Sequence, residues 1–426
     1  MSAWPRSLPP FLWGVATSSH QVEGQTHNDW TRWEAAGRVR EGQRSGRGCD
    51  HWSRYQEDYQ RFAALGINAY RFSVEWSRIE PEPGQWDREA LATYRRMVQA
   101  MRSHGWVPCL TLHHFTLPLW LADRGGLFAP DAVERFTRYA ATVVEHLGDL
   151  VDLYVTINEP MVWAVMGYAH GSWPPGRRSV WLAWRAANRL GHLHRHLYRT
   201  IKAARPTALV GWAHHYAVFF PYRETSWADR RDAAAVDWLF NRRFVAQIAP
   251  DFDFIGVNYY FRQWMHWRQG FRPITAKPGA LTTDMGWEIY PAGLRHALRV
   301  LGRWQKPLVV KENGIAARDD RLRQRFLVDH LRELAAAQAE GLEVRGYFYW
   351  SALDNFEWAE GFHPRFGLFA VDYATQARTP RPSARLYRWL IEQNRDRFPI
   401  AVPDHVPDAE ELPPLKAAVS PTNHPA

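Results

Sequence analysis

Cysteine is nearly absent. The two present in 426 residues, Cys49 and Cys109, cannot make a disulfide framework. Cys109 lies in the apolar run Val107-Pro108-Cys109-Leu110 and reads as a buried thiol, not a reactive one. No apolar stretch reaches membrane-spanning length, and the start, Met1-Ser2-Ala3-Trp4-Pro5-Arg6, lacks the long apolar segment of a signal peptide. The expectation is a cytoplasmic protein with no membrane partner. Lysine is scarce too: five residues against 48 arginines, within a formal net charge of +9. Those arginines are scattered and often interleaved with acids, as in Asp229-Arg230-Arg231-Asp232, without a compact basic tract. A solvated basic surface is therefore expected, with no nucleic-acid partner.

Aromatic residues are abundant: 23 tryptophans, 17 tyrosines and 21 phenylalanines. Aromatic faces pack against the C–H faces of sugars as well as inside cores, so the excess fits a sugar site without locating it. Eight apolar runs read as strands: Phe11–Ser19, Ala69–Trp76, Val107–His114, Leu153–Glu159, Ala208–His215, Phe252–Tyr260, Pro307–Asn313 and Arg345–Leu353. Segments with helical spacing lie between them, among them Glu57–Leu65, Arg88–His104, Pro130–Leu147, Leu182–Ala204, Pro291–Trp304 and Leu322–Gln338. This alternation, with no break in composition, predicts a single-domain (β/α)8 TIM barrel over residues 1–400. Residues 401–426 are rich in proline and acids, and are expected to be disordered or draped on the surface.

Two motifs stand out, Thr156-Ile157-Asn158-Glu159-Pro160 and Val310-Lys311-Glu312-Asn313-Gly314. Each glutamate ends a strand and is followed closely by a turn residue, which aims it out of the scaffold. Two such glutamates on different strands are what a double-displacement glycosidase requires: one protonates the leaving oxygen, the other attacks the anomeric carbon. Other polar residues gather at the same strand ends, where barrel enzymes keep their chemistry: Gln21, His114, Asn158, Asn258 and Tyr260, with Trp350 on the last strand.

From Phe11 to about Leu390 the chain resembles glycoside hydrolase family 1, the β-glucosidase family. The landmarks run from Phe11-Leu12-Trp13-Gly14-Val15-Ala16 through Ser18-Ser19-His20-Gln21 and Tyr70-Arg71-Phe72-Ser73-Val74-Glu75-Trp76-Ser77-Arg78 to the two glutamate motifs. Asn258-Tyr259-Tyr260, Met285-Gly286-Trp287-Glu288-Ile289-Tyr290-Pro291 and Asp354-Asn355-Phe356-Glu357-Trp358-Ala359-Glu360-Gly361-Phe362 complete the set. The resemblance implies retaining β-glycosidase chemistry without cofactor or metal, Glu159 being the acid/base and Glu312 the nucleophile. Arg71 and Tyr260 would keep Glu312 ionised, while burial and the charge of Glu312 would hold a proton on Glu159. Asn258 joins this catalytic group. Asn158 would bond the sugar 2-hydroxyl, and the two carboxyl groups should stand about 5–5.5 Å apart. Gln21, His114, Asn158, Glu357, Trp358 and Phe366 would grip the inner sugar, with Trp350 as a stacking floor. Glu357 would repel a 6-phosphate, which favours an unphosphorylated glucoside, galactoside or fucoside. A transglycosidase using the same glutamates is the alternative, and a non-catalytic sugar-binding barrel is a remoter one.

Three departures from the family pattern stand out. Phe115 and Thr116 replace the common Trp-Asp after the site histidine. Lys311 replaces the usual Thr, and strand alternation is expected to turn it toward the helix layer, into an ion pair with an aspartate near the sixth strand. The stretch between Tyr216 and Phe252 is short, which should leave the mouth open. Other polar clusters read as structural. His192 and His196 share a helix face at i, i+4 with no accompanying glutamate, and Glu75 and Glu80 read as scaffold acids. His215 reads equally well as a mouth residue or as packing.

Overall fold

The structure, a computed structural model, describes residues 4–270 and 272–415. Twelve strands are numbered in chain order: β1 Leu12–Ala16, β2 Ala69–Ser73, β3 Val107–His113, β4 Leu153–Asn158, β5 Leu209–His215, β6 Val218–Pro221, β7 Ile255–Asn258, β8 Arg262–Met265, β9 Leu308–Asn313, β10 Val344–Trp350, β11 Phe369–Val371 and β12 Arg378–Pro380. Eight of them close in the order β1-β10-β9-β7-β5-β4-β3-β2, every pair parallel. The chain is a (β/α)8 barrel, and each predicted strand supplies one stave. The predicted runs overshoot their ladders, mostly at the C-terminal ends, because the residues there turn away to build the mouth.

Alternation along the strands divides the apolar residues between two cores. One lies inside the barrel and takes Leu12, Ala69, Val107, Cys109, Leu153, Val155, Leu209, Val309 and Phe348. The larger one lies between the outer strand faces and the helices. The helices are amphipathic where they meet it: in Ala132–Leu147, for example, Phe136, Tyr139, Ala140, Val143, Val144 and Leu147 are buried at helical spacing. A glycine follows β9 because nothing larger fits there: a Cβ on Gly314 would collide with the carbonyl of Trp350.

Several elements were not anticipated. Strands β6 and β8 form a small parallel sheet at the rim, and β11 with β12 forms an antiparallel pair. The helix Pro382–Gln393 packs beneath β1 and β10, its Tyr387 hydroxyl donating to the carbonyl of Gly14 (2.7 Å). The stretch 216–252 holds β6 and a continuous helical run over 227–248, and Phe240 of that run stands edge-on to His215 at 6.1 Å. Residues 401–415 lie against the helices Asp320–Ala339 and Pro382–Gln393. Ala409 is buried, Val402, Val406, Leu412 and Leu415 pack on the core, and Arg332 donates to the Asp404 carbonyl (3.0 Å). The remainder of the predicted tail, 416–426, lies outside the described residues. Among the described residues, no helix is long and apolar enough to cross a membrane.

Candidate active site

Strict alternation along β4 would put Val155 inside the barrel and Asn158 outside. A register shift against β5, between Val155 and Asn158, prevents this: three steps on β4 match two on β5. Thr156 turns outward to bond His194 (2.6 Å), and Ile157 joins the outer core. Asn158 then returns to the interior. Strand β9 repeats the device. Three steps from Val310 to Asn313 match two on β10, and two steps from Val310 to Glu312 match one on β7. Such bulges re-aim side chains beside active sites. Here one precedes each glutamate.

The β9 bulge overturns the expectation for Lys311. Its side chain lies inside the barrel, not among the helices, because the extra residue lets Lys311 and Glu312 both face inward. Lys311 is fully buried, donates to Cys109 Sγ at 3.0 Å, and lies over the rings of Phe348 (4.6 Å) and Phe254 (4.9 Å). No aspartate among the described residues pairs with it. Gly256 makes room, since a Cβ there would stand 2.9 Å from Lys311 Cγ. Burial lowers the Lys311 pKa from its usual value of 10.5.

Above Lys311, the predicted residues form one connected network. The Arg71 guanidinium is fully buried; it bonds one oxygen of Glu312, and donates to Asn158 Oδ1 (2.6 Å) and Thr111 Oγ1 (3.2 Å). Tyr260 donates its hydroxyl to the other Glu312 oxygen at 2.6 Å. The Asn258 amide donates to Glu159 Oε1 (2.8 Å) and to Asn158 Oδ1 (3.2 Å). A relay of hydrogen bonds thus joins the two glutamates through Asn258, Asn158 and Arg71. With Asn158 Oδ1 accepting, its amide nitrogen faces His114 Nε2 at 3.2 Å, which must therefore accept. Burial first, then Arg71, holds His114 well below the usual histidine pKa. The neutral ring carries its proton on Nδ1, a buried atom with no protein partner.

The sugar-binding candidates close the other side. Gln21 donates to Asn355 Oδ1 (3.0 Å), the Phe356 carbonyl (2.9 Å) and Glu357 Oε2 (3.3 Å). His114 stacks between Trp350 (6.1 Å) and Trp358 (5.9 Å), and Phe366 stands 6.2 Å from the Tyr260 ring. Glu159, Phe115 and Trp358 have φ of 42°, 71° and 48°. Left-handed backbone at non-glycine residues costs about 1–3 kcal/mol each and persists where surrounding contacts over-determine it.

Burial is the largest influence on Glu312, and the charge of Glu159 adds to it. Together they raise its pKa to about 7 against the lowering by Arg71 and Tyr260, so Arg71 does not hold it in the ordinary carboxylate range as expected. Burial and the charges of Glu312 and Glu159 raise Glu357 to about 8. The donors still differ: Glu312 receives a guanidinium and a phenol, and Glu159 a neutral amide.

Residues not anticipated as site members support the pocket. His20 stacks on Trp358 (5.5 Å) and bonds Glu34 (2.9 Å), and Trp173 stands 4.9 Å from Phe115. His20 lies in the quoted Ser18-Ser19-His20-Gln21 run, but nothing in that run marks its ring as a support for Trp358. His215, which read equally well either way, has Nδ1 3.3 Å from Glu159 Oε1 and so belongs to the mouth. Glu75 accepts from Ser77 (2.7 Å), Thr116 (3.1 Å), Ser19 and Asn28, and Glu80 from Trp76, Gly84 and Arg138. Both carboxylates are used up within the scaffold. His192 and His196 face each other on an exposed helix, and no group of three or more metal-ligating side chains occurs among the described residues.

Comparison with known proteins bears on the same pocket. The family model "Glycosyl hydrolase family 1" matches residues 5–249 and 239–396. Beta-glucosidase A of Thermotoga maritima is 31% identical over 441 residues, covering 90% of this chain and 97% of that protein. A beta-galactosidase of Pyrococcus woesei is 30% identical, covering 90% and 96%. Among solved structures, a beta-glycosidase from Pyrococcus horikoshii superposes with a TM-score of 0.85 at 39% identity, over 91% of this chain and 94% of that one.

Proposed function

Because the chain belongs to glycosyl hydrolase family 1, we propose that this glycoside hydrolase removes terminal, unphosphorylated β-D-glucosyl residues, and also β-galactosyl or β-fucosyl residues, with retention at the anomeric carbon. Glu312 attacks the anomeric carbon, and Glu159 protonates the departing oxygen. The observation that carries the assignment is the asymmetry of donors. Arg71 and Tyr260 both stabilise the anion of Glu312. Glu159 accepts from the neutral Asn258 amide and has His215 Nδ1 at 3.3 Å, so it lacks the guanidinium–phenol pair that supports Glu312 as the nucleophile.

In the second step the ester on Glu312 no longer carries charge, and Glu159 accepts a proton from water. The unpartnered Nδ1–H of His114 is free to donate to a ring hydroxyl, and Glu357 accepts from two neighbouring hydroxyls. Names of relatives support both sugars: one is a beta-glucosidase, another a beta-galactosidase. The test is Glu312→Ala with an aryl β-glucoside. Hydrolysis should vanish, and azide should restore turnover with an α-glycosyl azide as product. Undiminished activity, or a β-azide, would overturn the nucleophile assignment.

A further inference from the structure

Large apolar side chains are exposed mostly on one part of the surface. Trp181 (62%), Trp184 (42%), Trp227 (67%), Trp238 (52%) and Trp267 (45%) are all solvent-facing. They come from three neighbouring elements that follow β4, β6 and β8: the start of the helix Val180–Ala204, the helical run 227–248, and the turn Trp267–Gln269. These elements touch. Arg243 of the helical run lies over Trp184 at 3.5 Å, and the Trp267 backbone N–H donates to Asp229 at 3.2 Å. The same run supplies Phe240, which borders His215 and through it Glu159. The tryptophans therefore stand beside the mouth of the barrel.

Charge on this surface is predominantly positive, although Asp229, Asp232 and Asp237 pair with Arg223, Arg231 and Arg242. Over residues 177–185, 223–243 and 266–270, eight arginines are exposed against a single exposed acid, Glu224. The acids Asp229 and Asp232 are buried. Several guanidinium groups lie on the indoles themselves: Arg185 over Trp181 (4.6 Å), Arg231 over Trp227 (5.3 Å) and Arg268 over Trp267 (5.3 Å).

We infer that this tryptophan–arginine surface docks the enzyme onto an anionic lipid surface, with the barrel mouth beside the headgroups. Indole rings settle at the boundary between headgroup and acyl chain, and guanidinium groups pair with lipid phosphates. A second copy of the chain is disfavoured as the occupant, because the arginines outside these ion pairs, Arg177, Arg178, Arg185, Arg230 and Arg268, would face their own copies. A nucleic acid would match the charge, but the stacked guanidinium groups cover indole faces that bases would need. The lack of a spanning helix does not bear on a surface-lying mode of attachment. The inference stands apart from the assignment of catalytic roles, because its test reads binding alone.

The experiment is co-sedimentation of the full chain with vesicles of phosphatidylcholine containing about 30% phosphatidylglycerol, beside pure phosphatidylcholine vesicles. Binding is expected to the anionic vesicles, at least tenfold weaker to the neutral ones, and to weaken as salt rises. The triple variant Trp181→Ser, Trp227→Ser, Trp238→Ser should lose at least tenfold in vesicle binding and keep its rate on a soluble aryl glucoside, which also certifies its fold. Absence of binding to anionic vesicles at low salt would overturn the proposal without any variant. Vesicle binding unchanged in the triple variant, or a short DNA duplex bound more tightly than the vesicles, would do so as well.

Discussion

Replacing Lys311 by methionine should stabilise this barrel at neutral pH. The amine is fully buried, and its one polar partner among the described residues is the Cys109 thiol, a weak acceptor. Burying an ammonium costs several kcal/mol, and exchanging buried ionic groups for apolar ones of like volume gains about 1–4 kcal/mol. The rings of Phe254 and Phe348 return part of this, at about 0.5–2 kcal/mol for a cation over an aromatic face. A net gain of about 1–2 kcal/mol remains. At about 2 cal/mol/K per residue, 426 residues melt with an entropy near 0.9 kcal/mol/K, so Tm should rise by only about 1–2 °C. Equilibrium urea unfolding is therefore the better assay. The pH dependence is diagnostic. Because burial lowers the Lys311 pKa from 10.5, the unfolded chain binds a proton between the lowered value and 10.5 that the folded chain does not. Wild-type stability thus rises with pH through that window, and the advantage of Lys311→Met should shrink as pH approaches 10.5. A variant less stable than wild type at pH 7, or an advantage that grows with pH, would refute the reasoning. It would mean that the contacts of Lys311 with Cys109, Phe254 and Phe348 outweigh the cost of burying its amine.

The remaining predictions concern the pocket. Glu159→Ala should slow substrates with poor leaving groups about 100-fold or more while sparing dinitrophenyl glucosides, and a Brønsted plot against leaving-group pKa reads this directly. Tyr260→Phe removes a donor to the Glu312 anion, so its pKa should rise; the acidic limb of the kcat/KM profile should move to higher pH, with kcat/KM falling about tenfold. Above pH 8, where the Glu357 carboxyl is ionised, Glu357→Gln should weaken glucosides by about 1.5–3 kcal/mol in kcat/KM, the range for a hydrogen bond to a charged group, and should relieve the discrimination against 6-phosphoglucosides measured side by side; both effects should shrink below that pH. Glu312 and Glu357 have folded-state values of about 7 and about 8 against 4.5 in the unfolded chain, so they bind more protons folded than unfolded between those limits. Their linked contribution makes stability fall as pH rises from about 4.5 to 8; the double variant Glu312→Gln, Glu357→Gln should flatten that slope in urea titrations.

The barrel was legible because eight apolar runs alternate with helical segments, a pattern that few other folds tolerate. Glu159 and Glu312 were legible because each ends a strand just before a residue that breaks it. The inward turn of Lys311 was hidden for a definite reason. Period-two alternation assigns a side only while the ladder keeps its register, and a bulge is a property of two strands at once. Neither β4 nor β9 announces one in its own residues. The rim was hidden in another way: β6 and β8 are four residues each, too short for periodicity to mark, and they pair across 40 residues of intervening chain. His215 could not be resolved either, since its role depends on the helical run 227–248 folding back beside it.

The two bulges also bear on why one fold can hold so much negative charge at its centre. Glu159, Glu312 and Glu357 converge there, and among the described residues Arg71 is the one guanidinium bonded to them. Ionised together they would leave a net charge of minus two in a poorly solvated space, so the pocket holds protons near neutral pH instead. Under the proposed function, such a site would favour neutral, hydroxyl-rich ligands over a phosphate, which would bring about two further negative charges. In the proposed cycle, formation of the ester on Glu312 removes that carboxyl's charge, and Glu159 is left as a carboxylate because its proton has gone to the departing oxygen. The base needed for the second step therefore arises from the chemistry of the first, without any movement of the chain. That coupling requires Glu312 and Glu159 to face one cavity. The added residues in β4 and β9 are what turn Asn158 and Glu312 inward to meet Arg71.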